Sequence, residues 1–167
     1  MALQGSASLP SARLAELGLT LPPVAAPVAA YVPAVRVGDL VYSSGQLPTV
    51  AGQLVASGKV GAEVSVETAA ECARTAVLNG LAAVSEQAGG IDEIERIVRL
   101  VIFVASTPDF TGQPQVGNGA STVIGEIFGD AGRHARSAVG VSVLPLDAPV
   151  EVEVVAQLRS RPSVQPA

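Results

Sequence analysis

The apolar positions of this chain follow two rhythms. From Val66 to about Ala88 they recur every three or four residues, at Val66, Ala69, Ala70, Ala73, Val77, Leu81 and Val84. That spacing gathers them on one stripe of an α-helix. Ser65 stands where an N-cap belongs, and Gly89-Gly90 where such a helix must stop. Elsewhere the rhythm is two. Arg136 leads into Ala138, Val139, Val141 and Val143, and Leu144-Pro145 with the turn Asp147-Ala148-Pro149 ends that run. A second alternating run, Val150 to Val155, then carries Glu151 and Glu153. These patterns predict two strands joined by a Pro-bearing turn.

The remaining segments complete the outline. Val32 to Val37 and Leu40 to Ser44 flank Gly38-Asp39 and predict a hairpin. Ile94 to Val104 reads as a strongly apolar strand. A loop with Pro108, Gly112 and Pro114 leads to a second helix, roughly Val116 to Phe128. Residues 48–64, rich in Gly, read as a loop. Near the N-terminus, Ser11 to Leu17 places Leu14 and Leu17 on one helical face, with Gly18 as the stop. The three prolines of residues 21–30 bar a regular helix and predict an extended arm. The chain thus divides into an N-terminal tail, short helix and arm (1–30), a domain (31–159) and a C-terminal tail (160–167). Its order of hairpin, helix, strand, helix and two strands predicts an α+β fold, with two helices on one face of a mixed sheet. The sheet's other face would be apolar and need cover.

Composition sharpens this picture. Apolar residues make up 49 % of the 167 residues but aromatic ones only 3 %, and Trp is absent, so the core is built from Val, Leu, Ile and Ala. A mean hydropathy of +0.45 is high for a monomer of this size, and burial between subunits accounts for the surplus. No window approaches ~18 uninterrupted apolar residues, which argues against a membrane span. The net charge of −5 argues against a nucleic-acid partner, for which the spot at Arg133, His134 and Arg136 is too small. The single cysteine, Cys72, rules out an internal disulfide and fits a reducing cytoplasm. The N-terminus shows no signal-peptide pattern.

Candidate chemistry centres on Arg136 and Glu151. A fixed guanidinium captures a small carboxylate through two parallel hydrogen bonds, and a nearby carboxylate can handle a proton or orient a water. The same residues also fit a structural bridge from Arg136 to Glu151 or Glu153 across the sheet. Both glutamates share one face of a period-two strand. His134, the only histidine, lacks partners for a metal site and reads as a surface or rim residue. Cys72, beside the apolar stripe, reads as buried and inert. Ser44 has no histidine or lysine to activate it, so it reads as a hydrogen-bond donor rather than a nucleophile. Gly45, Gly117 and Gly119 do not form a phosphate loop.

Three segments, AYVPAVRVGDLVYSSGQLP, IVRLVIFV with its DF pair, and ARSAVGVSVLPLDAPVEVEVVA, resemble the RidA/YjgF family of reactive-intermediate imine deaminases. The resemblance covers roughly residues 30–157. It implies a chorismate-mutase-like fold, assembled as a homotrimer whose sheets form a central β-barrel, with clefts between subunits. It implies hydrolysis of 2-imino or enamine acids to 2-keto acids and ammonia, without metal or organic cofactor. By the same resemblance Arg136 grips the substrate carboxylate, Glu151 attends the hydrolytic water, and Tyr31, Ser44 and Asn118 line the cleft. A non-catalytic trimer binding a small carboxylate metabolite in that cleft is the alternative, and a nuclease the weaker third. The chain departs from the family's common pattern in its N-terminal segment, in a longer loop after SSGQ, in GQPQ at 112–115, and in Gly132-Arg133-His134-Ala135 before Arg136.

Overall fold

A computed structural model describes residues 8–24 and 30–160. The two tails and part of the proline arm fall partly outside the described residues. The long helix forms where the periodicity placed it. This helix, α2 (Val66–Ala88), is the second in the chain, after α1 (Pro10–Glu16). Ser65 caps α2, its Oγ accepting the Thr68 N–H at 3.1 Å. Gly89 ends it in the left-handed region (φ 88°), and its N–H returns to the Ser85 carbonyl. The next helix, α3 (Gln113–Phe128), begins three residues before the expected start. Pro114 sits in its first turn, where an N–H would lack a partner in any case, so the proline opens the helix instead of preceding it.

The two long helices lie close because small residues meet. A Cβ on Gly119 would stand 1.9 Å from the Ala70 carbonyl oxygen; α2 also rests closely on the sheet, where a Cβ on Gly80 would stand 2.8 Å from Val154 Cγ2. The N-terminal helix is docked on the same body. Leu14 is buried in the core, and the Ser11 N–H and hydroxyl both donate to Asp92.

Five strands make the main sheet: β1 (Ala34–Val37), β2 (Leu40–Ser43), β5 (Ile94–Ala105), β6 (Ala135–Val141) and β7 (Val150–Leu158), ordered β1-β2-β7-β5-β6. Among the described strands of this sheet only β5 and β6 run parallel, so the sheet is mixed, as expected. A separate hairpin, β3 (Thr49–Val50) and β4 (Gln53–Leu54), occupies part of the segment read as a loop. Ala51 and Gly52, both at positive φ, supply its two-residue turn.

A second correction bears on function. The last two strands do not pair with each other; β5 lies between them. After β5 the chain crosses over through α3, which returns it parallel beside β5 as β6. The turn at 145–147, with Leu146 and Asp147 both near φ 60°, then carries it past β5 to the other side. Every second residue of β7, from Val150 to Leu158, is buried beneath the helices with Leu100, Ile102 and Val104. The opposite face carries Val101, Phe103, Val155, Glu151 and Glu153, half-buried, and Val35, Tyr42 and Val139, which are 44–48 % exposed. An apolar sheet face without cover from the described residues of its own chain is what the patterning predicted.

Candidate functional site

Arg136 is the second residue of β6, an edge strand, directly opposite Leu100. It therefore points to the helix-bearing face and meets α3. Its Nη1 donates to Asn118 Oδ1 at 2.9 Å and to Ser121 Oγ at 3.1 Å, and its Nη2 donates to the Pro114 carbonyl at 3.3 Å. Pro114, Asn118 and Ser121 stand at i, i+4 and i+7, one face of the helix. Gly117 admits the side chain: a Cβ there would lie 3.3 Å from Nη1. Three of five guanidinium N–H groups are thus engaged. The Nε–H and the second Nη2–H have no partner among the described residues, and no carboxylate there forms an ion pair with Arg136. The alternative of a bridge to Glu151 or Glu153 is not what forms. Two open donors on a held guanidinium suffice for bidentate capture of a carboxylate.

Beside it lies a recess of about 400 Å³ lined by Ser121, Arg133, His134 and Arg136 together with glycines. His134 is not a plain surface residue. Its Nδ1 is 2.6 Å from the Gly132 carbonyl and its Nε2 3.0 Å from Ser121 Oγ. Two segments where the sequence departs from the common family pattern, 112–115 and 132–135, therefore converge on Arg136.

Glu151 belongs to a second group, on the other face of the sheet. It pairs across the ladder with Phe103, whereas Arg136 pairs with Leu100. The two residues are separated by two strand spacings and about three residues along the strand, roughly 10 Å in each direction, and they face opposite ways. One copy of the chain cannot bring their side chains together. What surrounds Glu151 is the end of β2. From Tyr42 to Gln46 that segment advances four residues while β7 runs three, Val155 to Val152, so one residue bulges. The Ser43 hydroxyl accepts the Val154 N–H at 2.9 Å, replacing a ladder carbonyl at the bulge. Gly45 leaves room for the Glu151 carboxylate: a Cβ would stand 1.8 Å from its Oε1. Burial, and then the neighbouring Glu153 charge, pushes the Glu151 carboxyl above the usual carboxylate range.

Tyr31 and Gly45 line one groove of about 510 Å³ with Leu47, Asn79 and Leu146. Asn79 fixes that wall by donating to the carbonyls of Leu47 and Thr49. Ser44 stands beside it, but its hydroxyl donates to the Val32 carbonyl at 2.6 Å, so only its lone pairs remain for a ligand. The five residues singled out from the sequence thus form two groups. Tyr31, Ser44 and Glu151 cluster around Gly45, and Asn118 and Arg136 sit on α3 and β6. Sequence reasoning missed Ser43, Gly45 and Ser121 as parts of these groups. Ser121 had a signal, lying one helical turn beyond Asn118; the bulge at Ser43 had none. Cys72 is fully buried and its thiol is pushed up to about 11, chiefly by burial. Its burial is as expected, and a buried, protonated thiol is a poor nucleophile.

A family model described as "YjgF/chorismate mutase-like, putative endoribonuclease" matches residues 11–158. Protein TCP17 of Trypanosoma cruzi is 41% identical over 153 residues, spanning 90% of this chain and 94% of that protein. The crystal structure of Atu1372 from Agrobacterium tumefaciens, a protein with unknown function, superposes with a TM-score of 0.83 at 42% identity, covering 90% of this chain and 92% of that one. The structure of E. coli TdcF with bound serine does so with a TM-score of 0.60 at 26% identity, covering 84% and 94%. The match takes in α1, the sheet and both long helices, and on that extent the chain belongs to the RidA/YjgF family.

Proposed function

We propose that the protein is a hydrolytic deaminase of reactive 2-imino and enamine acids, working as a homotrimer whose sites form between copies. The observation that carries this reading is the division of the site into two incomplete halves on opposite sheet faces. One holds a cation with two open donors (Arg136); the other holds a half-buried carboxyl of raised pKa (Glu151). Neither half suffices for hydrolysis, and an exposed apolar sheet face gives a second copy somewhere to dock. Serine bound to TdcF, an amino acid with the α-carboxylate an imino acid would present, supports a small carboxylate ligand.

The chemistry needs little equipment. Arg136 takes the substrate carboxylate in charge-assisted hydrogen bonds of about 1.5–3 kcal/mol each. Glu151, ionised, accepts a proton from water as its oxygen bonds to C2 of the protonated imine, and the C=N π pair moves to nitrogen. Glu151 then returns the proton to nitrogen and takes the hydroxyl proton as the C=O bond forms and the C–N bond breaks; ammonia leaves, picks up that proton as ammonium, and the 2-keto acid and ionised Glu151 remain. Fixing the imine and water at contact distance supplies much of the rate. No step consumes an oxidant or a cofactor.

The test is to generate 2-iminobutanoate in situ and follow 2-oxobutanoate release with purified protein. Acceleration over the spontaneous rate, lost in Arg136→Met and in Glu151→Gln, is the expected result. Tight binding of 2-oxobutanoate without turnover of any imine in a panel would instead favour a binding protein. RNA cleavage that persists through repurification and vanishes in Arg136→Met would favour a nuclease.

A further inference from the structure

We infer that Ser121 and His134 are positioning residues for Arg136, a hydrogen-bond relay that fixes the guanidinium with its two open donors available to a ligand's carboxylate. This deepens the proposed function and rests on reading Arg136 as the anion anchor. The relay has a definite direction. A carbonyl only accepts, so the 2.6 Å contact from His134 Nδ1 to Gly132 O puts the proton on Nδ1. In the neutral ring Nε2 is then an acceptor, and the Ser121 hydroxyl, 3.0 Å away, donates its single proton there. With that proton committed, the oxygen's lone pairs are left for Arg136 Nη1 at 3.1 Å. Every link has one donor and one acceptor, and the chain ends on the backbone at Gly132.

The neighbouring charges leave this relay to itself. Arg133 turns to Asp130 at 3.2 Å, and Arg96 donates to the Arg133 carbonyl at 3.2 Å. A charged imidazole would turn Nε2 into a donor toward the serine oxygen and add a second cation beside the guanidinium, so the direction of the relay requires the neutral ring. The physical gain is preorganisation. An arginine on an edge strand otherwise samples many rotamers, and a ligand would have to freeze them. Here Asn118 and Ser121 together take both Nη1 hydrogens, so rotation about the guanidinium is stopped before any ligand arrives.

His134 is the only histidine, so long-range ¹H–¹⁵N spectra report its ring nitrogens without assignment ambiguity. The expected spectrum is that of the Nδ1-protonated neutral tautomer near neutral pH, with the Nε2 signal moving when 2-oxobutanoate is added. By calorimetry, Ser121→Ala binds 2-oxobutanoate about tenfold more weakly, the size of one hydrogen bond to a charged group. Ser121→Thr, which keeps the hydroxyl, restores the affinity, and His134→Phe weakens it. Thermal melts of the variants separate these losses from unfolding. Wild-type affinity in Ser121→Ala, alongside lost binding in Arg136→Met, would overturn the relay while leaving the anchor standing. An Nε2-protonated ring would overturn it as well. Undiminished binding by Arg136→Met, or no binding by the wild type, would instead remove the anchor and the relay together.

Discussion

Glu151 shows how a side chain is placed by what its neighbour lacks. Its carboxylate occupies the space a Cβ on Gly45 would need, at 1.8 Å from Oε1. Gly45→Ala must therefore displace the carboxylate, and the expected result is at least a tenfold loss of imine hydrolysis, with the melting temperature changing far less than for a core substitution. The protonation state of Glu151 gives a second expectation. A base works only when ionised, and burial with the Glu153 charge raises the pH at which this one ionises. Below that midpoint the carboxyl holds its proton and cannot take one from water. Plotted against pH, kcat/KM thus rises through a midpoint above the usual carboxylate range, and removing the glutamate in Glu151→Gln abolishes that limb.

Among the elements, α3 does two jobs through opposite faces. Toward β6 it presents Pro114, Asn118 and Ser121 to Arg136; toward α2 it presents Gly119, against the Ala70 carbonyl. An alanine at 119 would put its Cβ 1.9 Å from that oxygen, forcing the helices apart at a cost of about 1–3 kcal/mol. Urea denaturation of Gly119→Ala should show a lower midpoint with an unchanged slope. Because α3 also carries the residues that hold Arg136, 2-oxobutanoate affinity should fall with it. Removing the Ser65 cap of α2, by contrast, should cost about 1 kcal/mol and leave ligand affinity untouched, since α2 bonds nothing on Arg136.

At the scale of the whole molecule, the division of the site over two sheet faces makes a strong forecast. Arg136→Met and Glu151→Gln are each expected to be inactive. If one copy supplies the arginine and another the glutamate, co-refolding the two at equal ratio rebuilds intact sites at about a quarter of positions by random mixing. Activity in the mixture supports a shared site, and a dead mixture of confirmed mixed oligomers counts against it. The apolar face offers an independent check. Val139, 45 % exposed there, becomes costly to bury when charged. Light scattering on Val139→Asp should show a smaller particle than the wild type.

Much of the architecture could be read from spacing alone. The three-and-four rhythm fixed α2 to its caps, Ser65 and Gly89. The period-two runs fixed which residues of β7 face the core, because burial on one side imposes alternation whatever the partner strand. The identity of Arg136 and Glu151 as candidates was equally legible, through residue type and resemblance. Which strand stands beside which was not, since alternation carries no information about neighbours. The crossover through α3 put β6 on one side of β5 while β7 paired on the other, and the registers of the two ladders, Arg136 at Leu100 and Glu151 at Phe103, set the two residues on opposite faces. The hold of Ser121 and His134 on the guanidinium was hidden for the same reason: hydrogen bonds between residues 13 and 15 positions apart exist only once helix and strand are packed.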